Sequence, residues 1–249
     1  MRPVGITETF DPCFVPDWET KLLDANIIIS KELNDEMIEK LLIVQNKVIF
    51  HHTVTGQGGT ILEPNVKPPQ FEFEQFKKLH ERGFDLSHYV LRIDPIILFN
   101  PECMDNVKST LNLWGNFCKK NNVILRCRVS IIDLYNHVLA RLKAANVVLG
   151  WESFTAPQLV FDKAADILSK YTDSFVFECC AEQKFNCNFI QKIGCASMKD
   201  LAIIEPPDIW DYGMPEKKQR QECMCIMKKQ ILGVKPGRCG HQCLYCFWK

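Results

Sequence analysis

The chain has 249 residues, 13 cysteines, a hydrophobic fraction of 47% and a formal net charge of +0, with a pI near 7.0. That length suits one large domain with an ample core, and the neutral balance excludes a general electrostatic attraction for nucleic acid while leaving local sites open. No apolar run approaches the length needed to cross a bilayer, and the N-terminus has no signal-peptide apolar run. The expectation is therefore a cytoplasmic protein with reduced thiols.

Short apolar runs alternate with amphipathic stretches, which predicts βα units and a parallel sheet. Strands are expected at Val4 to Thr7, Asn26 to Ser30, Lys47 to Val54, Tyr89 to Asp94, Ile124 to Ser130, Ser174 to Cys179 and Leu201 to Ile204. Helices are expected at Asp35 to Val44, Phe71 to Glu81, Met104 to Lys119 and Ala156 to Lys170, where apolar residues recur at three- and four-residue steps. Near Glu205-Pro206-Pro207 the βα rhythm gives way to a polar, cysteine-bearing tail. The predicted fold is an α/β, TIM-like (β/α) barrel, full or partial, over residues 1–205, with a cysteine-rich tail, 206–249, packed on the same barrel.

Side chains alternate across a strand, so each predicted strand sorts into two faces. In Ile124 to Ile131, Arg126, Arg128 and Ser130 share a face opposite Leu125, Cys127, Val129 and Ile131. Buried arginines need anionic partners, so either this face lines a barrel lumen or the strand is an edge with a wet face. Arg92 and Asp94 share a face in the preceding strand and can pair, while Glu178 and Cys180 face opposite Phe175, Phe177 and Cys179. At the end of the third strand, His51, Thr53 and Thr55 share a face. The glycines of Gly56-Gln57-Gly58-Gly59 permit close approach to a ligand, although as a phosphate motif they are incomplete.

Nine cysteines lie between Cys179 and Cys246, and such clustering in a reducing compartment favours metal over disulfides. Cys239, Cys243 and Cys246 are separated by three and then two residues, a loop short enough to aim three thiolates at one point. Iron-sulfur clusters are normally held by four thiolates, and a metal site that does chemistry keeps one position free. Half of a zinc ribbon is the structural alternative. Cys13, Cys103, Cys118 and Cys127 read as small hydrophobes.

The run Cys-x-x-x-Cys-x-aromatic-Cys, with Tyr245 as the aromatic, resembles the radical S-adenosylmethionine signature, in which the cofactor chelates the unique iron of a 4Fe-4S cluster. Its place at the end of the chain is similar to that in a family catalogued only as a domain of unknown function, whose members look like circularly permuted radical enzymes. The segment Val48 to Phe99, the run Ser130 to Tyr135 and the tail from Lys217-Lys218-Gln219-Arg220 share that likeness. More distantly the chain resembles spore photoproduct lyase and DNA-repair-photolyase-like proteins. It departs at Thr7-Glu8-Thr9-Phe10-Asp11, where the family carries Ser-Arg-Arg-Thr-Asp, and it lacks a Gly-Gly-Glu element after the cysteines.

The resemblance implies that Cys239, Cys243 and Cys246 hold the cluster and that Cys180, Cys195, Cys223 and Cys225 hold a second 4Fe-4S cluster or zinc, with Cys187 in reserve. S-adenosylmethionine would be cleaved to a 5′-deoxyadenosyl radical acting on a nucleic-acid base or nucleotide, as in DNA repair or modification. Glu8, Glu63, Arg126, Ser130 and Tyr245 are then expected at the cofactor, and Arg92, Asp94 and Arg128 as catalytic groups. The expected partners are a flavodoxin- or ferredoxin-like electron donor and DNA or a nucleotide, with no membrane. The competing classes are a non-catalytic iron-sulfur or zinc protein, structural or redox-sensing, and a thiol-dependent or hydrolytic barrel enzyme using His51. From Glu216 to Lys249 the basic residues Lys217, Lys218, Arg220, Lys228, Lys229, Lys235, Arg238 and Lys249 are set against only Glu216 and Glu222. That excess can attract phosphates.

Overall fold

The structure, a computed structural model, describes residues 2–204, 223–226, 228–233 and 239–248. Its frame is one parallel sheet of eight strands: β1 (Val4–Ile6), β2 (Asn26–Ser30), β3 (Val48–Thr53), β4 (Tyr89–Ile96), β5 (Leu125–Ile131), β6 (Phe175–Cys179), β7 (Ile190–Lys192) and β8 (Lys229–Ile231). The spatial order is β7-β6-β5-β4-β3-β2-β1-β8. From β1 to β7 each strand lies beside its predecessor in sequence, so right-handed crossovers put their helices on one side.

The helices are α1 (Asp35–Val44), α2 (Pro69–Glu81), α3 (Pro101–Asn121), α4 (Asn136–Ala144), α5 (Gln158–Leu168) and α6 (Met198–Ile204). Asparagines start two of them: Asn34 caps α1 by accepting from Met37 N, and Asn100 caps α3 by accepting from Cys103 N. The helix-facing side of the sheet, with Ile28, Phe50, Leu91, Cys127 and Phe177, belongs to the main apolar core. Deleting a large side chain from such a core costs about 2–5 kcal/mol.

The other side of the sheet differs. Its β1–β2 half packs Val4, Ile6 and Ile27 against Ala196, Leu201 and Ile226, whereas its β3–β6 half carries His51, Arg92, Arg126, Arg128 and Glu178, buried or nearly so. Helix α6 lies against this face and serves both halves, Leu201 turned to the apolar one and Asp200 to the charged one.

Three features depart from the sequence reading. Leu201 to Ile204, expected as a strand, is the end of α6. Ser197 N and Oγ donate to Asp200 Oδ2 at 3.0 and 2.8 Å, and Asp200 N donates to Ser197 Oγ at 3.2 Å, a reciprocal cap that starts a helix. Strand β5 pairs with β4 and β6, which removes the edge-strand alternative for the Arg126–Arg128 face. The glycines after β3 approach their own chain: a Cβ on Gly58 would stand 2.0 Å from the Lys67 carbonyl oxygen, and one on Gly56 2.8 Å from that of Asn106. The anticipated boundary near Glu205-Pro206-Pro207, the run from Lys217 to Arg220, and the tail residues Glu216, Glu222, Lys235, Arg238 and Lys249 lie outside the described residues. Among the described residues no helix is long and apolar enough to cross a membrane.

Candidate functional site

The tail cysteines lie over the C-terminal ends of the strands, the rim where parallel α/β folds carry their chemistry. Leu244 N donates to Leu62 O at 2.9 Å, Asn65 Nδ2 to Gly240 O at 2.8 Å, and Arg141 Nε, on α4, to Leu244 O at 3.0 Å. Phe247 packs on Tyr135 with ring centroids 4.7 Å apart. The loops after β3 and β5 thus hold the tail from both sides.

Two buried polar knots tie the motif itself. In the first, Tyr245 Oη donates to Glu63 Oε1; Lys31 Nζ stands 2.6 Å from the same oxygen and 2.8 Å from the phenol; and Thr55 Oγ1 donates to Glu63 Oε2 at 2.8 Å. Burial opposes the charge on Lys31, yet Glu63 and the neighbouring Cys243 hold its pKa above the ordinary value. In the second, Asp11 accepts from Ser30 Oγ at 2.6 Å, Lys31 N at 2.7 Å, Cys13 N at 3.1 Å and His241 Nε2 at 2.8 Å. Burial raises the Asp11 pKa, but the His241 contact and these donors outweigh it and leave it lowered. Cys13 Sγ is 3.8 Å from His241 Nε2.

Cys239 is exposed, Cys243 buried and Cys246 half-buried. Burial pushes the Cys243 thiol up to about 12, Lys31 opposing and Glu63, Cys246 and Cys239 adding to the rise. The three thiols therefore lie within electrostatic reach of one another, yet they do not crowd to the spacing of ligands around one ion. A cuboidal cluster asks for that arrangement, because each thiolate binds a different iron.

Below the rim, the expected catalytic and cofactor residues form two groups. Arg92 Nη2 and Ser130 Oγ both donate to Asp94, at the ends of β4 and β5. Deeper, Arg126 Nε and Nη2 donate to Glu178 at 3.0 and 3.1 Å, Arg126 Nη2 to Asp200 Oδ1 at 2.6 Å, and Arg128 Nη2 to Glu178 Oε2 at 2.8 Å. Burial raises the Glu178 carboxyl pKa, but both arginines overcome that and hold it down to about 2; Asp200 is likewise well below its ordinary value. These arginines find their anions within the protein.

His51 is buried beside Arg128 and, at 3.9 Å, Asp200. Burial and then the Arg128 charge lower its pKa to about 4, so the imidazole is neutral near pH 7. His51 Nδ1, Thr53 Oγ1, Arg92 Nε and Arg126 Nη1 are buried with no hydrogen-bond partner among the described residues. Such atoms are what a bound water or polar ligand satisfies. Glu8, at the rim beyond β1, is paired with Lys229 Nζ at 2.7 Å.

The second cysteine group assembles between the two outer strands of the sheet. Cys180 follows β6, Cys195 follows β7, and Cys223 and Cys225 precede β8. Cys180 Sγ is 3.7 Å from Cys225 Sγ and 4.0 Å from Cys223 Sγ. The Cys195 thiol interacts with Cys180 and then Cys225, which hold its pKa well below the ordinary value against the effect of burial. Cys187 stands apart, beside Cys179. Cys103, Cys118, Cys127 and Cys179 are buried in the main apolar core.

The sequence reading did not single out Lys31, Asp11, His241, Asn65 or Asp200. The Ser197-x-x-Asp200 cap and Asp11, which caps the turn starting at Pro12, had local signals; the contacts of Asp11 with His241 and of Lys31 and Asn65 with the tail join residues far along the chain. No curated protein matches the chain. A family model matches residues 16–248, nearly the whole length, and the chain belongs to the family described as Domain of unknown function (DUF1848).

Proposed function

We propose that the protein is a radical S-adenosylmethionine enzyme in which Cys239, Cys243 and Cys246 hold a 4Fe-4S cluster, and that its sheet belongs to a (β/α) barrel of circularly permuted type. The observation that carries the reading is the pinned tail: three thiols of suitable spacing, spread wider than single-ion ligands, over the C-terminal ends of the strands. Cys13, near Cys239, contacts His241 and Asp11; in the proposed site Cys239, Cys243 and Cys246 supply three thiolates and leave one iron position open.

When bound, the cluster and S-adenosylmethionine would supply reductive cleavage of the cofactor and a carbon radical. The chain's own residues do the positioning. Lys31, Glu63, Thr55 and Tyr245 fix the loop between Cys243 and Cys246. Asp11 and His241 fix the turn between Cys239 and Cys243. Arg92, Asp94 and Ser130 offer polar groups below them, with Arg92 Nε unpartnered among the described residues. Glu8 and Lys229 form an ion pair available at the β1 side of the rim.

The substrate class we propose is a nucleic-acid base or nucleotide, in repair or modification, with a flavodoxin- or ferredoxin-like donor in the cytoplasm. Its support is the likeness to photoproduct lyases. The deep arginines add none, since Glu178 and Asp200 already neutralise them.

Anaerobic reconstitution with iron and sulfide, then reduction in the presence of S-adenosylmethionine, tests the reading. The expected result is a brown protein that releases 5′-deoxyadenosine and a Cys243→Ala variant that releases none. Colourless protein, or equal release from the variant, overturns it.

A further inference from the structure

The second cysteine group uses thiols other than those of the terminal motif and has the dimensions of a different kind of centre. Four thiolates at about 2.3 Å from one zinc sit at tetrahedral corners, so neighbouring sulfurs are about 3.8 Å apart. The observed separations from Cys180 Sγ are 3.7 Å to Cys225 and 4.0 Å to Cys223. The three sulfurs also lie within 4.8 Å of one another. A disulfide needs sulfurs about 2.05 Å apart, and a cuboidal cluster carries its thiolates on separate irons, so neither fits this crowding. Tetrahedral all-sulfur coordination of a single ion is the geometry of a structural zinc site.

The backbone supports the same geometry. Cys195 N donates to Cys225 Sγ at 3.1 Å and Cys225 N to Cys223 Sγ at 3.4 Å, contacts that hold both sulfurs in place. The second of these bends the chain so that two cysteines separated by one residue face the same point. Gly194 allows the close approach, since a Cβ there would meet Met224 O at 2.5 Å and Cys225 Cα at 2.8 Å.

The position gives the ion a purpose. Strands β7 and β8 end the sheet's hydrogen-bonded order, and the segments beside them meet through Ile226 N donating to Ala196 O at 2.9 Å and through these thiols. We propose that Cys180, Cys195, Cys223 and Cys225 bind one structural zinc ion that staples the two outer edges of the sheet together. Cys180, Cys223 and Cys225 are the crowded three, and Cys195, whose N–H donates to Cys225 Sγ, would complete a closed set of four protein ligands, as in structural zinc sites. The proposal is independent of the radical reading.

The test counts the two metals separately on the full chain, purified anaerobically under reducing conditions. About one zinc per chain is expected, with an X-ray absorption shell of four sulfurs near 2.3 Å. The double variant Cys180→Ser/Cys225→Ser is expected to lose the zinc, while Cys243→Ala keeps it and loses iron. Zinc with nitrogen or oxygen ligands, zinc lost with Cys243→Ala, a disulfide within the group, or iron and sulfide persisting in Cys239→Ala/Cys243→Ala/Cys246→Ala would each overturn the staple. Should the double variant fail to fold, the absorption spectrum of the unaltered chain decides. Absence of 5′-deoxyadenosine from a chain that still holds four-sulfur zinc would sink the enzymatic reading and leave the staple standing.

Discussion

Two regions bury charge, and they use it differently. Beneath the rim, Arg126, Arg128, Glu178 and Asp200 form a lattice in which the two arginines of β5 are answered by Glu178 on β6 and Asp200 on α6. At the rim, Lys31 and Glu63 meet the phenol of Tyr245, and Asp11 meets His241, each joining an early loop to the tail. The lattice, to which Lys199 adds a further contact on Glu178, holds β5 and β6 against α6. The rim knots spend their polar groups on placing a loop that has little regular structure of its own.

The comparison predicts that damage to the lattice appears as lost stability and damage to the knots as lost site geometry. The largest effect is expected from Asp200→Asn, which leaves Arg126 and Arg128 sharing Glu178. Removing one partner of a buried ion set costs about 3–5 kcal/mol, read as a fall in Tm or in denaturant midpoint. Chain that remains folded should still bind iron at the rim. Undiminished stability would mean that the lattice is a ligand site rather than a brace.

His51 sharpens the same point through pH. Its folded pKa of about 4 lies below the unfolded value near 6.5, so the unfolded chain binds a proton that the folded chain refuses. Stability should fall as pH drops from about 6.5 to about 4, by roughly 3 kcal/mol at 1.36 kcal/mol per unit. Below that window His51 adds no further loss. Asp200 has a depressed pKa, so its stabilising contribution, present above its unfolded pKa, is lost at still lower pH. His51→Gln should flatten the upper part of the profile and leave the acid limb; an unchanged slope between pH 6.5 and 4 would mean that another group titrates there.

How much of this was legible in the sequence follows from the range of each signal. Helix α1 was readable to the residue, because Asn34 caps a clean amphipathic run, and the faces of β5 and β6 followed from alternation alone. Strand β8, three residues with a polar centre, and β7, with two exposed residues, carry too little pattern to find. Leu201 to Ile204 read as a strand because a four-residue apolar run fits either period; the Ser197-Asp200 cap resolves it. The terminal cysteines were visible by spacing. Their anchors were not, since nothing local links Asp11 to His241 or Lys31 to Tyr245.

The smallest expected change in stability is the most informative about those anchors. Tyr245→Phe keeps the ring, which is 9% exposed, and removes one hydroxyl shared by Glu63 and Lys31. Glu63 retains Lys31 and Thr55, so no charge is left unpaired. The loss should sit within the range of about 1.5–3 kcal/mol typical of a hydrogen bond to charged groups. Site geometry should suffer more than stability, because the phenol lies in the three-residue step from Cys243 to Cys246. The expected signature is a fall in Tm of a few degrees beside much slower or less complete iron incorporation and weaker release of 5′-deoxyadenosine, with the zinc count unaltered. Equal losses of stability and iron uptake would mean that the rim knot braces the fold as the lattice does, and the two regions would then differ in location alone.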